Sequence, residues 1–138
     1  MKIYFAGSIR GGRDDKELYL ELIKKLGSYG TVLTEHIGKV DLDVMGEQDL
    51  SDEQICERDL NWIKESDVLV AEVTTASLGV GYEIGFAEAH KKPILALYRE
   101  TEGKRPSAMI SGNTYLTFKK YKNVEEADML FKEFFVEE

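Results

Sequence analysis

The segment Gly7–Arg13 concentrates three glycines, one serine and two arginines in seven residues, a composition suited to binding an anion. Glycine lets backbone N–H groups approach an anion closely, arginine offers paired donors that match phosphate oxygens, and a following helix would add its positive N-terminal end. The alternative is a solvated turn whose arginines pair with Asp14, Asp15 or Glu17. The spacing fits neither the Walker A pattern nor the dinucleotide fingerprint, so we expect a phosphate ester as ligand, and neither ATP hydrolysis nor NAD binding.

A second loop, Thr74–Val80, leads from an apolar segment into a helix predicted over Gly81–Lys91, and Glu83 falls in the first turn of that helix. The helix dipole there favours an ionised carboxylate. Beside a sugar, such a carboxylate can act as a nucleophile at the anomeric carbon. The alternative is a glutamate that only complements the dipole. Ser77, six residues earlier, either caps the turn or donates a hydrogen bond to a ligand.

Asp59 is an acid on the apolar face of a predicted amphipathic helix. At 100° per residue, positions 53, 54, 57, 58, 61, 64 and 65 form one polar face, and Asp59 lies near the centre of the opposite stripe with Leu60 and Ile63. Burial of a carboxylate is costly unless a partner or a proton compensates. Asp59 is therefore either the partner of a buried donor or a functional acid whose pKa burial raises, which would suit a proton donor. A nucleophilic carboxylate and an acidic one together cleave glycosidic bonds with retention.

Other candidate residues carry weaker signals. Tyr4 lies in the first predicted strand and either donates a hydrogen bond to a carboxylate or is an ordinary core tyrosine. Cys56 shares the apolar helix face and is interpreted as a packing residue rather than a nucleophile. Glu35 and His36 close the second predicted strand, and the pattern does not decide whether they line a site. Neither His36 nor His90 has a partner at metal-ligand spacing, so the sequence predicts no metal site.

Apolar, β-rich segments alternate with longer segments of helical period along the chain. Ser51 and Gln54 form a capping box that marks one helix start. The segment Ile37–Leu50 lacks clear periodicity and is predicted to be a flexible excursion. The predicted strands are Lys2–Ala6, Thr31–Thr34, Asp67–Val73, Pro93–Tyr98 and Leu116–Tyr121; the predicted helices are Asp15–Tyr29, Ser51 to about Ser66, Gly81–Lys91 and Val124–Phe135, with a short helix starting in Arg105–Ile110.

Strands that alternate with helices predict a single α/β domain over residues 1–138, a three-layer sandwich of the flavodoxin-like type. Five strands joined by right-handed crossovers most economically form one parallel sheet of order 2-1-3-4-5. Ligands of open α/β sheets bind where the strand order reverses, here between strands 1 and 3, beyond their carboxyl ends. The loops Gly7–Asp14 and Thr74–Val80 follow those two strands, so we expect them to form the walls of one crevice.

The net charge of −8 argues against a nucleic-acid polymer or a membrane surface as partner, because both attract basic faces. The single cysteine excludes an intrachain disulfide and favours a reducing compartment. The sequence shows no signal peptide and no apolar run near the roughly 20 residues that span a bilayer. We therefore expect a cytoplasmic protein that acts on a small molecule.

Six segments of the chain share their residues and their order with one known family. They are Tyr4–Arg13, Thr31–His36, Asp59–Trp62, Ala71–Thr74, Ser77–Gly85 and Ser107–Ile110. Together they resemble the 2'-deoxynucleoside 5'-phosphate N-hydrolases, which belong to the wider nucleoside 2-deoxyribosyltransferase family. The segments Ile37–Leu50 and the part after Gly112 depart from the family pattern, and base preference depends on them.

The resemblance implies hydrolysis of the N-glycosidic bond of 2'-deoxynucleoside 5'-monophosphates to 2-deoxyribose 5-phosphate and free base. It implies that Glu83 is the nucleophile that takes the deoxyribosyl group, that Asp59 assists departure of the base, and that Tyr4 orients the nucleophile. It implies no cofactor and no metal, and a homodimer in which Ser107–Met109 completes the neighbouring site. The residues it assigns to substrate binding are Gly7, Ser8, Ile9, Arg10, Gly11, Gly12, Arg13, Ser77, Gly79, Ser107, Ala108 and Met109.

Two other activities stay open at this point. A deoxyribosyltransferase would pass the sugar to a second base, but Arg10, Arg13 and Ser107 favour a phosphorylated substrate, whereas the transferases typically handle unphosphorylated nucleosides. A nucleotide-binding sensor would keep the crevice and perform no chemistry, and the presence of both Glu83 and Asp59 argues against it.

Overall fold

The computed structural model describes residues 1–9, 13–36 and 50–136. Most of the predicted Ile37–Leu50 excursion therefore lies outside the described residues, as do Arg10, Gly11 and Gly12 of the predicted phosphate loop. The strands of the described part are β1 (Lys2–Gly7), β2 (Thr31–Leu33), β3 (Val68–Glu72), β4 (Ile94–Tyr98) and β5 (Thr117–Lys120). Its helices are α1 (Arg13–Leu26), α2 (Asp52–Glu65), α3 (Leu78–Ala89), α4 (Ala108–Ser111) and α5 (Val124–Val136).

The strands form one parallel sheet of order β2-β1-β3-β4-β5, which confirms the predicted topology. Side chains alternate between the two faces of each strand, as the pleat requires. In β1, Ile3 and Phe5 face a core built with α1 and α5, whereas Tyr4 and Ala6 face a core built with α2 and α3. Helices thus cover both faces of the sheet, and the predicted three-layer sandwich is confirmed.

The two crevice loops begin side by side because Gly7, the last residue of β1, pairs in register with Glu72, the last residue of β3. Position 7 is closely packed, since an added Cβ would lie 3.0 Å from the ring of Tyr19 on α1 and the ring would have to move. The absence of a side chain at Gly7 therefore lets the Tyr19 ring lie close to the end of β1.

The predicted start of α3 is wrong by one turn. Ser77 is the N-cap and its side chain accepts a hydrogen bond from the Val80 N–H (3.2 Å), so the helix begins at Leu78 instead of Gly81. Local capping, one of the two roles considered for Ser77, is therefore confirmed. Glu83 lies in the second turn as a result, beyond the first turn in which the helix dipole acts most strongly on a charge.

The capping box predicted at the start of α2 is confirmed. The Ser51 hydroxyl accepts from the Gln54 N–H (3.1 Å), and the Gln54 side chain accepts from the Ser51 N–H (2.9 Å). These bonds satisfy two of the donors that a helix start leaves unpaired. They fix where α2 begins, and so which of its residues face the sheet.

Within the described ranges, no helix is long and apolar enough to cross a membrane.

Two glycine substitutions test the packing of this fold. In Gly30→Ala the new Cβ would lie 2.3 Å from the Met1 carbonyl oxygen, which accepts the Thr31 N–H (2.9 Å), so the start of β1 must shift. We expect the free energy of unfolding in urea to fall by about 1–3 kcal/mol. The matched control is Gly85→Ala on α3, where no atom lies within 4 Å of the added Cβ. There the helical preference of alanine should raise the free energy of unfolding by about 0.5–1 kcal/mol. Equal changes in the two variants would contradict the packing described.

Candidate active site

Glu83 receives a hydrogen bond from a tyrosine that the sheet delivers. Tyr4 lies in β1 with its side chain on the α2/α3 face and is 1% exposed, and its hydroxyl donates to Glu83 Oε2 at 2.7 Å. Burial, together with Glu83 and Asp59, raises the pKa of Tyr4 far above its ordinary value, so the tyrosine stays a donor. The geometry is the one required for a tyrosine that orients a carboxylate.

Asp59 is buried in the middle of α2 (6% exposed), as the helical pattern predicts. The Arg58 guanidinium compensates it, because Arg58 Nε donates to Asp59 Oδ1 at 3.0 Å. A second Arg58 nitrogen lies 3.6 Å from Glu35 Oε2, and the guanidinium stacks over the Trp62 ring at 4.8 Å. Asp59 thus has a polar partner and, at the same time, faces Glu83.

Glu35, Asp59 and Glu83 form a cluster in which one carboxylate oxygen of each residue lies within 4.8 Å of the others. Three acids this close repel one another when ionised, and Arg58 supplies positive charge to the same cluster. Carboxylate oxygens are also ligands for hard cations, so these three residues are the ones that could hold a metal ion among the described residues. An upper limit of 4.8 Å between these oxygens is compatible with the short spacing, roughly 5 Å, of the two carboxyl groups in retaining glycosidases.

The pKa of Glu83 is raised from 4.5 to about 7, mainly because burial removes water from the charged form. The hydrogen bond from Tyr4 opposes this increase in pKa, whereas the neighbouring Asp59 and Glu35 charges add to it. The sequence-based expectation of a carboxylate held ionised by the helix dipole is therefore wrong. Desolvation dominates, and Glu83 takes up and releases its proton near neutral pH.

Two cavities border opposite faces of the α3 N-terminal turns. The carboxylate cavity (about 240 Å³) is lined by Asp52, Ile55, Cys56, Asp59, Leu60, Gly79, Tyr82 and Glu83. The serine cavity (about 430 Å³) is lined by residues 73–78, by Val80, Gly81 and Ile84, and by Arg105, Pro106, Ser107, Met109 and Ile110. The predicted site residues are thus divided: Gly79 accompanies Asp59 and Glu83, whereas Ser77 accompanies Ser107 and Met109.

The predicted phosphate loop is described at its two ends. Gly7 ends β1, Ser8 is buried, Ile9 is half exposed and Arg13 begins α1. His36 contacts this region from the end of β2: its Nε2 lies 2.9 Å from the Gly7 carbonyl oxygen, and its ring packs edge-on against Tyr19. Ala108 is exposed in the first turn of α4.

The prediction that Cys56 is a packing residue is wrong. Cys56 is free and exposed, and it lies at the mouth of the carboxylate cavity because α2 turns it away from the sheet. The contacts of Arg58 with Asp59 and Glu35 are not predicted by the sequence, because the helical pattern places Arg58 on the polar face. The pattern also does not decide whether Glu35 lines the site. The available signals were the direct adjacency of Arg58 to Asp59 and the position of Glu35 after a strand at the carboxyl edge of the sheet.

Open α/β sheets bind ligands where the strand order reverses, and a pair of closely spaced carboxyl groups is the arrangement with which glycosidases cleave glycosidic bonds. The family model described as nucleoside 2-deoxyribosyltransferase matches residues 3–130 of the chain. By this match, the chain belongs to the nucleoside 2-deoxyribosyltransferase family.

Individual relatives agree with that assignment. A 5-hydroxymethyl-dUMP N-hydrolase from Tetraodon nigroviridis is 56% identical over 113 residues, which are 81% of this chain and 80% of that protein. A Nematostella vectensis protein, provisionally named 2'-deoxynucleoside 5'-phosphate N-hydrolase 1, is 52% identical over 138 residues, with 96% of this chain and 93% of that protein covered. The solved CMP N-glycosidase of Clostridium botulinum is similar in fold, with a TM-score of 0.72, 22% identity, and 97% and 99% of the two chains covered.

The raised pKa of Glu83 predicts a specific dependence of stability on pH. Between pH 4.5 and 7 the folded protein holds a proton on Glu83 that the unfolded chain has released, so the stability that this group contributes at low pH is lost as the pH rises through 7. Glu83→Gln cannot ionise and should escape this loss. We expect the free energy of unfolding of Glu83→Gln, relative to the wild type, to be greater at pH 8 than at pH 5 by about 3 kcal/mol. Denaturant unfolding at both pH values measures the difference, and parallel curves for the two proteins would contradict it.

Proposed function

We propose that the protein hydrolyses the N-glycosidic bond of 2'-deoxynucleoside 5'-monophosphates to 2-deoxyribose 5-phosphate and a free base. The observation that carries this proposal is the Glu83 carboxylate, oriented by Tyr4 at 2.7 Å and clustered with the buried Asp59. Relatives that are 52–56% identical and whose names denote N-hydrolases of deoxynucleotides support the same reaction. Their names make 5-hydroxymethyl-dUMP the first substrate to test.

In the first step, an oxygen of ionised Glu83 bonds to the anomeric carbon while the bond from that carbon to the base nitrogen breaks. The electron pair of the broken bond stays with the base, which receives a proton from Asp59. A 2-deoxy sugar lacks the electron-withdrawing 2-hydroxyl, so positive charge develops on its ring at a lower energetic cost. The Glu83 charge stabilises that cation and then captures it, as in retaining glycosidases.

In the second step, water replaces Glu83 on the anomeric carbon. Asp59, now ionised, takes a proton from the water, the oxygen of the water bonds to the carbon, and the bond to the Glu83 oxygen breaks. The products are 2-deoxyribose 5-phosphate and regenerated Glu83 and Asp59. Arg58 contacts Asp59 at 3.0 Å and balances its charge in the ionised state.

The 5'-phosphate belongs to the loop after β1 in this proposal. Gly7 and Ser8 lie at the carboxyl edge of the sheet beside the start of α1, where backbone N–H groups and the helix dipole favour an anion. Ile9, Arg10, Gly11, Gly12 and Arg13 complete the proposed phosphate site. Gly79 would contact the sugar or base from the carboxylate cavity, and Ser77 would contribute from the serine cavity.

A homodimer is part of the same proposal, with Ser107, Ala108 and Met109 completing the site of the partner. Within one chain, Ser107 and Met109 line the serine cavity and not the carboxylate cavity. Leu78 (97% exposed) and Met109 (80% exposed) present apolar side chains beside them, as surfaces that bind another subunit do. A cytoplasmic location is also proposed, supported by the single, unpaired Cys56.

Product analysis tests the reaction. Incubated with 5-hydroxymethyl-dUMP or dGMP alone, the protein should release free base and 2-deoxyribose 5-phosphate. Glu83→Ala should keep its circular dichroism spectrum and lose turnover by about 10³-fold or more, because the nucleophile is gone. Glu65→Gln, on the exposed surface of α2, is the matched control and should keep wild-type turnover.

Other outcomes of this assay would contradict the proposal. A new nucleotide or nucleoside that forms only when a second base is added identifies a transferase, and binding without products identifies a sensor. Turnover of Glu83→Ala within tenfold of the wild type would exclude Glu83 as the nucleophile.

Mixed dimers test the shared site. Glu83→Ala and Ser107→Ala should each be impaired alone, but each mixed dimer contains one site with both native residues. An equimolar mixture after subunit exchange should therefore recover about one quarter of wild-type activity. Light scattering should give twice the mass of the chain. A monomeric mass, or a mixture no more active than its components, would exclude the shared site.

A further inference from the structure

A second buried acid lies at the carboxyl edge of the sheet, on the face opposite the carboxylate cavity. Glu72 ends β3, is 0% exposed, and points towards the layer formed by α1 and α5. Its carboxylate accepts hydrogen bonds from the Thr74 N–H (2.8 Å), the Thr74 hydroxyl (2.8 Å), Arg99 Nε (3.4 Å) and the Tyr121 hydroxyl. The proposed chemistry uses none of these residues, although Thr74 belongs to the loop that leads to α3.

Asp15 extends this cluster to α1. It lies in the first turn of α1, directly after the loop from β1, and Arg99 Nη2 donates to its Oδ1 at 2.8 Å. The Thr75 hydroxyl donates to its Oδ2 at 3.1 Å, and the Arg99 N–H donates to the Thr74 hydroxyl oxygen at 2.9 Å. Asp15 therefore reaches the loop after β3 twice, once directly and once through Arg99.

We propose that Glu72, Arg99 and Asp15 are positioning residues that fix the start of α1 relative to the loop after β3. The proposed function places the 5'-phosphate beside the start of α1, and the loop after β3 continues through the Ser77 cap into α3 and Glu83; the functional part of this inference rests on that proposed function. A substrate anchored by its phosphate presents its anomeric carbon at a fixed distance from the anchor. Movement of α1 or of the loop after β3 by about 1 Å would therefore misplace that carbon relative to Glu83.

The charges of the cluster favour a rigid bridge. Arg99 is half-buried, and burial alone would lower its pKa, but Glu72 and Asp15 more than offset this and leave the pKa raised. The guanidinium is thus a permanent cation between two carboxylates. Hydrogen bonds between charged partners are stronger than neutral ones and hold their geometry more tightly. Arg99 thus connects the end of β4 with the start of α1, the end of β3 and the loop after β3.

The Asp15–Thr75 bond allows a test of the coupling that does not depend on activity. Thr75→Val removes the donor and keeps the branched shape, whereas Thr75→Ser keeps the donor. In Thr75→Val we expect amide hydrogen exchange of residues 17–22 in α1 to accelerate about 3- to 10-fold, the loss of one hydrogen bond. Thr75→Ser should exchange like the wild type, as should the matched control Thr117→Val on the edge strand β5. Unchanged exchange of residues 17–22 in Thr75→Val would overturn the proposal.

A kinetic test uses substitutions within the cluster, one of them at a residue too buried to contact the substrate. Tyr121 is buried (2% exposed) and donates to Glu72, so Tyr121→Phe removes one hydrogen bond from the cluster without changing a residue at the surface. We expect the KM for a deoxynucleoside monophosphate to rise about 3- to 10-fold in Tyr121→Phe and in Asp15→Asn. The KM for the unphosphorylated deoxynucleoside should change less than about twofold, because that substrate has no phosphate to anchor it beside the start of α1. Equal losses on both substrates would mark a purely structural role and overturn the proposal. If the wild type hydrolyses neither substrate, the proposed function fails, and the exchange experiment alone decides the coupling.

Discussion

A carboxylate in a cavity loses much of its hydration, and the desolvation of Glu83 is the constraint on which the rest of the site depends. Left uncompensated, Glu83 would stay protonated and could not attack a carbon. If hydrogen-bond donors compensated the lost hydration completely, Glu83 would be ionised, but its oxygens would be bound too strongly to attack a carbon. The Tyr4 hydroxyl lowers the pKa of Glu83 while burial, Asp59 and Glu35 raise it, and the balance leaves that pKa at about 7. The groups that set this pKa come from different elements. Tyr4 lies on β1, Glu35 follows β2, Asp59 lies on α2, and Glu83 itself lies on α3.

Two glutamates at the same edge of the sheet show how the surroundings separate structure from chemistry. Glu72 lies on the α1/α5 face and accepts from four donors, so its carboxylate oxygens are occupied by protein. Glu83 lies on the α2/α3 face, has the Tyr4 hydroxyl on one oxygen, and opens into a cavity. In the function proposed above Glu83 is the reactive carboxylate and Glu72 is a positioning residue, because, of these two residues, only Glu83 lines one of the two cavities.

The sequence predicts the sheet well because strand and helix periods are local signals, and the burial of Asp59 follows from its position on a helix face. What it cannot predict depends on contacts across the fold. The start of α3 is an exception, because the Ser77 cap that sets it is a local contact, one of the two roles that the sequence left open for Ser77. Cys56 is exposed although it shares the stripe of Asp59. The helical pattern predicts Arg58 as a surface residue, because its ion pair with Glu35 depends on a contact between two elements.

The first turns of α3 explain how one helix can serve two cavities. A helix advances 100° per residue, so Leu78 and Gly81 face the serine cavity while Gly79, Tyr82 and Glu83 face the carboxylate cavity. Small residues at positions 79 and 81 keep this part of the helix thin, and the bulky Tyr82 side chain extends outwards, 63% exposed. Leu78 and Tyr82 lie one turn apart on α3 and are both exposed, so a partner that covers the two would border both cavities. A subunit contact here would close the site and exclude bulk water in the same step, which strengthens every charge interaction around Glu83.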